Sequence, residues 1–192
     1  MKKLFLSIIL SAVFTVSAQE ASVIPFPKNG QLYTEYTSRK SSPYIKKVIE
    51  STGWIAKDGD KFAFFQETPS VLKVVNKGDE MSLKIGNNKP MKMKITADSA
   101  TEYSDIGLLF TDDAAQIDRT FSISSEKIGS KTRYFLKPKG DNKVIGKLEF
   151  MRFVSTQDKL EKLEIKYKNG TAIEFTFFNT VTGEDVDEKK FD

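Results

Sequence analysis

A mostly β, antiparallel fold with a short helical insertion is what this sequence predicts, and three observations carry the prediction. Short segments of alternating apolar and polar residues follow one another from Leu32 to Asn179. They are separated by turn residues such as Asp58-Gly59 and Asn169-Gly170, which leave room for hairpins and none for parallel crossovers. The alternation breaks once, between about Ser99 and Thr120, where Ile106, Leu109 and Phe110 recur at helical spacing.

The chain begins MKKLFLSIILSAVFTVSAQE, with two lysines, an apolar run from Leu4 to Val16 and the small residues Val16-Ser17-Ala18. This is the pattern of a secretory signal peptide over 1–18, since the apolar run is too short to span a bilayer. No cysteine follows the run to receive a lipid, so residues 19–192 are expected as one domain free in an extracytoplasmic space, the periplasm. Residues 20–30, EASVIPFPKNG, contain two prolines and an Asn-Gly pair and read as an extended lead-in.

The predicted strands then follow as LYTEYTS, VIESTGWIAK, KFAFFQ, VLKVVN, EMSLKI and MKMKIT. The middle segment predicts one or two short helices, with Asp112-Asp113 placed as a cap, where negative charge meets the positive end of the helix dipole. Strands resume with TFSISSEKI, KTRYFLKPK, VIGKLEFMRFV, KLEKLEIKYK and TAIEFTFFN, the last two joined at Asn169-Gly170, a candidate type I′ turn. A sheet of ten or eleven strands must close into a barrel or curl around a helix, because a flat one would expose an apolar face and its edges.

Composition excludes several function classes. The formal charge of +4 falls by two when Lys2 and Lys3 leave with the signal peptide, and the remaining lysines are spread along strands, so nucleic acid is not the expected partner. The chain has no histidine and no cysteine, which removes Ser-His-Asp and Cys-His catalysis and the usual zinc ligands. No catalytic residue, metal site or cofactor is expected. Asp185 and Asp187 lack the glycine and distal glutamate of a calcium loop.

Two features ask for more than an ordinary sheet. Met81, Leu83 and Ile85, then Met91, Met93 and Ile95, form two apolar stripes. They suit either a plain core or a pocket for flexible hydrocarbon, because methionine re-packs readily around varied guests. Aromatics also occupy both faces of single strands: Phe62 and Phe64 on one face against Ala63 and Phe65 on the other, with Phe150, Phe153, Phe175, Phe177 and Phe178 repeating the pattern. Either protein covers both faces, or one face covers something that is not protein.

From about Leu32 to Phe191 the chain resembles the periplasmic lipoprotein carrier family, LolA and its relatives. The resemblance is carried by Tyr33-Thr34-Glu35, Gly53-Trp54-Ile55-Ala56-Lys57, Phe62-Ala63-Phe64, Pro69 and Lys77-Gly78-Asp79, then by GLLFTDDAAQIDRTFSI and YFLKPKGDN. It implies a half-open, strongly curved antiparallel β-sheet, an incomplete barrel of about eleven strands closed by lid helices around a hydrophobic cavity. It further implies a non-enzymatic monomeric carrier that takes the acyl chains of lipoproteins, or a related amphiphile, from an inner-membrane release complex to an outer-membrane acceptor. The cavity and lid residues expected on this reading are Trp54, Phe62, Phe64, Met81, Leu83, Met91, Met93, Ile106, Leu109, Phe110, Phe150 and Phe175. The alternative is an envelope-stress sensor or interaction module built on the same fold. Two positions depart from the family pattern. Asp58 stands where relatives carry a lid-locking arginine, and EASVIPFPKNG stands in place of an N-terminal amphipathic helix.

Overall fold

The computed structural model describes residues 30–78, 80–94, 107, 110, 114–140, 146–157, 159–183 and 186–192. The signal-peptide segment, the lead-in and Asp112-Asp113 lie outside the described residues. Six strands come first: β1 Gln31–Ser42, β2 Ile45–Asp58, β3 Lys61–Thr68, β4 Leu72–Lys77, β5 Glu80–Ile85 and β6 Met91–Lys94. A short helix, α1 Ala114–Thr120, leads into β7 Phe121–Ile128, β8 Lys131–Pro138, β9 Leu148–Thr156, β10 Lys159–Tyr167 and β11 Ala172–Thr182. A 3-10 turn at Glu188–Phe191 ends the chain.

All eleven strands belong to one sheet, in the order β6-β5-β4-β3-β2-β1-β11-β10-β9-β8-β7. Each half is a meander in which every strand pairs with its sequence neighbour, as short loops require. The halves are joined by antiparallel pairing of the first strand with the last, Tyr36 opposite Phe177 and Ser38 opposite Phe175. β6 and β7 are thus the two free edges, and the sheet does not close into a barrel. Residues 95–120 must carry the chain from one edge to the other. Phe110, which lies on this crossing, packs its ring 5.7 Å from that of Phe62 and is 2% exposed.

Each expected strand is present over its described residues, and two-residue alternation is clear on β1, β8, β10 and β11, whereas β2 and β3 bury consecutive residues and β9 shifts its phase. One turn differs from expectation. A type I′ turn needs positive φ at both central residues, but among the described non-glycine residues only Gln157 and Asn179 have it. The Gly170 amide donates to the Tyr167 carbonyl at 2.9 Å, so Lys168 and Asn169 are the central residues and Gly170, at φ 84°, follows them. This is a type I turn closed by a left-handed glycine. The Asn169 side chain braces it by accepting from the Thr171 amide at 2.9 Å.

Gly53 fixes how the first three strands pack. It sits on β2 opposite Tyr36 of β1, and the space above it lets the Tyr36 side chain cross β2 and donate from its hydroxyl to the Phe65 carbonyl on β3 at 3.1 Å. A Cβ on Gly53 would lie 1.9 Å from that carbonyl oxygen, which only glycine avoids.

Candidate functional site: the apolar inner face

Side-chain alternation and register sort the sheet into two faces. On the inner face, Thr34, Ile55, Phe64, Val74, Leu83 and Met91 form one cross-strand row over β1–β6. The next row holds Leu32, Lys57, Phe62, Asn76, Met81 and Met93. In the other half, Phe175, Leu163, Phe153 and Tyr134 lie side by side across β11–β8, and Ile173, Ile165, Met151 and Leu136 lie beside them. Together with Phe110, Ile117 and Phe121, the apolar members other than Met91 make one hydrophobic cluster that runs through both halves. Tyr36 bridges the halves, with its ring stacked on Phe64 at 5.3 Å and edge-on to Phe175 at 5.2 Å.

Few polar groups interrupt this face. Lys57 is only 6% exposed, and its ammonium donates to the Gly30 carbonyl at 3.1 Å. Asn76 Oδ1 is buried without a hydrogen-bond partner among the described residues. The described residues contain no group of three or more carboxylates placed to hold a metal ion. The chemistry this face offers is burial of hydrocarbon, worth about 0.8 kcal/mol per methylene.

Of the residues expected to line a cavity, Phe62, Phe64, Met81, Phe110 and Phe175 are buried in this cluster, and Leu83 and Met93 pack against it half-buried. Met91 shares the row of Leu83, but on edge strand β6 it is 53% exposed. Ile106 and Leu109 lie outside the described residues. Two expectations are corrected. Trp54 is on the opposite face from Ile55, since β2 pairs Trp54 with Glu35 and Phe65 and pairs Ile55 with Thr34 and Phe64. Phe150 also faces outward, because the β9–β10 register shifts between Leu148 and Phe150 and the inward positions run Leu148, Met151, Phe153. Its ring packs on Phe135, 5.1 Å away on the outer face.

The sequence reading missed Tyr36, Phe121, Leu136, Met151, Leu163 and Ile165, all buried on the inner face. A signal existed in KLEKLEIKY, where Leu163, Ile165 and Tyr167 alternate cleanly with charged residues.

Protein covers part of the outer face. Ala56 and Ala63 leave a shallow site, flanked by Val75, in which Phe191 is 1% exposed. The adjacent Trp54 stacks on Phe65 at 5.2 Å, and Lys190 lies 4.4 Å above the Trp54 ring and 4.9 Å above that of Tyr33. Burial pushes the Tyr33 hydroxyl above its ordinary pKa, with the neighbouring Glu35 carboxylate adding to the effect. Glu188 bonds Lys61 at 2.7 Å and holds that ammonium above the usual lysine range. Asp58 is on this outer side and accepts from the Gln31 amide at 3.3 Å. Aromatics on both faces of KFAFFQ are thereby explained: Phe62 and Phe64 join the inner cluster, and Phe65 lies under Trp54.

A family model described as outer membrane lipoprotein carrier protein LolA matches residues 32–192. No curated protein matches the sequence. Among solved structures, a LolA superfamily protein from Nitrosomonas europaea is 11% identical, with 88% of this chain and 92% of that chain covered at a TM-score of 0.47. A DUF1329 family protein from Desulfovibrio piger is 9% identical, with 85% of this chain and 90% of that chain covered at a TM-score of 0.41.

Proposed function

The chain belongs to the LolA family of outer membrane lipoprotein carriers, and from that premise we propose that it binds the acyl chains of lipoproteins, or of a related amphiphile, against the inner face of its half-open sheet. The observation that carries the reading is a single apolar cluster extending across an unclosed sheet, with Phe110 of the edge-to-edge crossing laid on it. A ligand entering between the two halves would exchange water for Phe, Met, Leu and Ile side chains. At about 0.8 kcal/mol per methylene, the acyl chains alone would supply the affinity. The methionines at Met81 and Met93 can adapt to chains of different length.

On this reading the signal peptide over 1–18 delivers the protein to the periplasm, where it acts without catalysis. It would receive cargo from an inner-membrane release complex and pass it to an outer-membrane acceptor. Among the described residues no helix is long and apolar enough to cross a membrane. Release requires the crossing segment to lift at low cost, because a carrier that holds its cargo too tightly cannot deliver it.

The test is to purify the protein from cells, extract it with organic solvent and identify co-purifying lipid or lipoprotein by mass spectrometry. An empty protein that also fails to take up lipoprotein from membranes would refute the proposal. Phe110→Asp should abolish loading by placing a charge against Phe62, and Phe110→Leu should retain it. Full loading of Phe110→Asp would remove the crossing segment from the mechanism.

A further inference from the structure

We propose that one end of the sheet, the end bearing the β1–β2 turn, is a docking surface for an anionic lipid bilayer. The antiparallel order places the turns after β1, β3, β5, β8 and β10 at this end. Six of the ten large apolar side chains left exposed among the described residues are gathered there: Tyr44 at 79%, Ile45 at 46%, Val48 at 38%, Val71 at 40%, Ile85 at 47% and Met91 at 53%. They come from three successive hairpins, so they form a rim and not a stripe on one strand. The Gly86 amide donates to the Val71 carbonyl at 2.8 Å and ties two of the turns together.

Among the described residues, lysines outnumber carboxylates at this end, where the exposed Glu67 and Glu149 stand on strands two residues from a turn. Among the described residues, the five turns contain Lys89, Lys139, Lys147 and Lys168 and no carboxylate. Lys46 and Lys47, both exposed, stand next to Tyr44 and Ile45 at the β1–β2 hairpin. The opposite end differs, since its β2–β3 turn presents Asp58 and Asp60. Exposed apolar tips interleaved with lysines match the interfacial zone of a membrane. Tyr, Ile and Val side chains enter the headgroup boundary there, and lysine stems lie along it with their ammonium groups on lipid phosphates. A protein partner could use the apolar tips. The excess of lysines among the described residues selects the anionic surface, to which each lysine adds attraction that salt screens.

This inference does not rest on what the inner face holds, because none of its residues belongs to the buried cluster. It is tested by flotation with vesicles of phosphatidylcholine alone and of phosphatidylcholine mixed with phosphatidylglycerol, using protein expressed from the full-length gene and purified as the cell processes it. Binding is expected to phosphatidylglycerol vesicles, to weaken about fivefold for each of Lys46→Gln and Lys47→Gln, and to be lost in high salt. Tyr44→Ser combined with Ile45→Ser should also abolish it. Lys127→Gln combined with Ile128→Ser, at the opposite end, should leave it unchanged. Circular dichroism on each variant establishes that the fold is intact. The inference is overturned if the parent protein does not float with phosphatidylglycerol vesicles, or if the opposite-end variant loses binding while the rim variants keep it. It is equally overturned if sedimentation shows that the rim variants only abolish pairing of two copies of the chain.

Discussion

Replacing Gly53 by alanine should be among the most damaging single-methyl additions the fold can receive. The new Cβ would lie 1.9 Å from the Phe65 carbonyl oxygen and 2.8 Å from the Tyr36 hydroxyl. The first of these is backbone on β3 and has no rotamer to escape into, so β2 and β3 must separate where Gly53 pairs with Gln66. Overpacking of this kind costs about 1–3 kcal/mol. Straining the bond from the Tyr36 hydroxyl to Phe65 adds about 1–3 kcal/mol, because the Tyr36 side chain is buried between Phe64 and Phe175. With a register shift already present between Thr52 and Gly53 to absorb part of the strain, we expect a loss of about 3 kcal/mol. In urea, where m for small proteins is about 1–3 kcal/mol/M, the midpoint should fall by at least about 1 M with m unchanged. Tyr36→Phe alone should cost about 1 kcal/mol. The double variant should cost less than the sum, since removing the hydroxyl makes room for the methyl. A midpoint for Gly53→Ala indistinguishable from the parent, or strict additivity with Tyr36→Phe, would refute this account of how the first three strands lock.

Three further outcomes are expected. Phe191→Ala should lower stability by about 2 kcal/mol in urea unfolding, as loss of one buried aromatic at the chain end, without changing lipid loading; an unaltered midpoint would mean the outer site contributes nothing. Phe64→Ala should reduce co-purified lipid while Trp54→Ala leaves it unchanged, both destabilising, and the reverse pattern would overturn the assignment of faces. Glu161→Gln should cost less than about 1 kcal/mol at neutral pH, a small effect because the group is largely solvated. Its hydrogen bond from Lys131 holds the Glu161 carboxylate below the ordinary glutamate range. The contribution should therefore be full above that range and disappear as pH falls below it. A difference from the parent that persisted in strong acid would refute the assignment.

The sequence makes the strands legible but not their faces. Eleven segments could be read because turn residues and two-residue alternation coincide, and both are local. Which face turns inward is a pairing property, and on β2 and β3 the local signal is ambiguous because both faces are apolar. Trp54 and Ile55 look equally suited to a core, and only the register with Glu35 and Thr34 sends the tryptophan outward. Phe150 was misread for a different reason: an extra residue on β9 shifts the phase of the alternation, which no periodicity count anticipates. The outer aromatics became intelligible only when the chain end was seen to return to Ala56 and Ala63. The closing of β1 on β11 is likewise the longest-range pairing in the sheet and has no local signature.

Positions 57 and 58 face opposite sides of β2, so Asp58 lies on the outer side with Gln31. The basic residue that reaches the inner face is Lys57, set between Leu32 and Phe62 in an apolar row and nearly buried. An ammonium in such a place is costly unless it is paired, and an uncompensated one would oppose hydrocarbon binding beside it. Its bond to the Gly30 carbonyl joins the end of the inner face to the chain leading into β1. Lys57 and Gly30 thus set a polar limit to the apolar face at this end of β2.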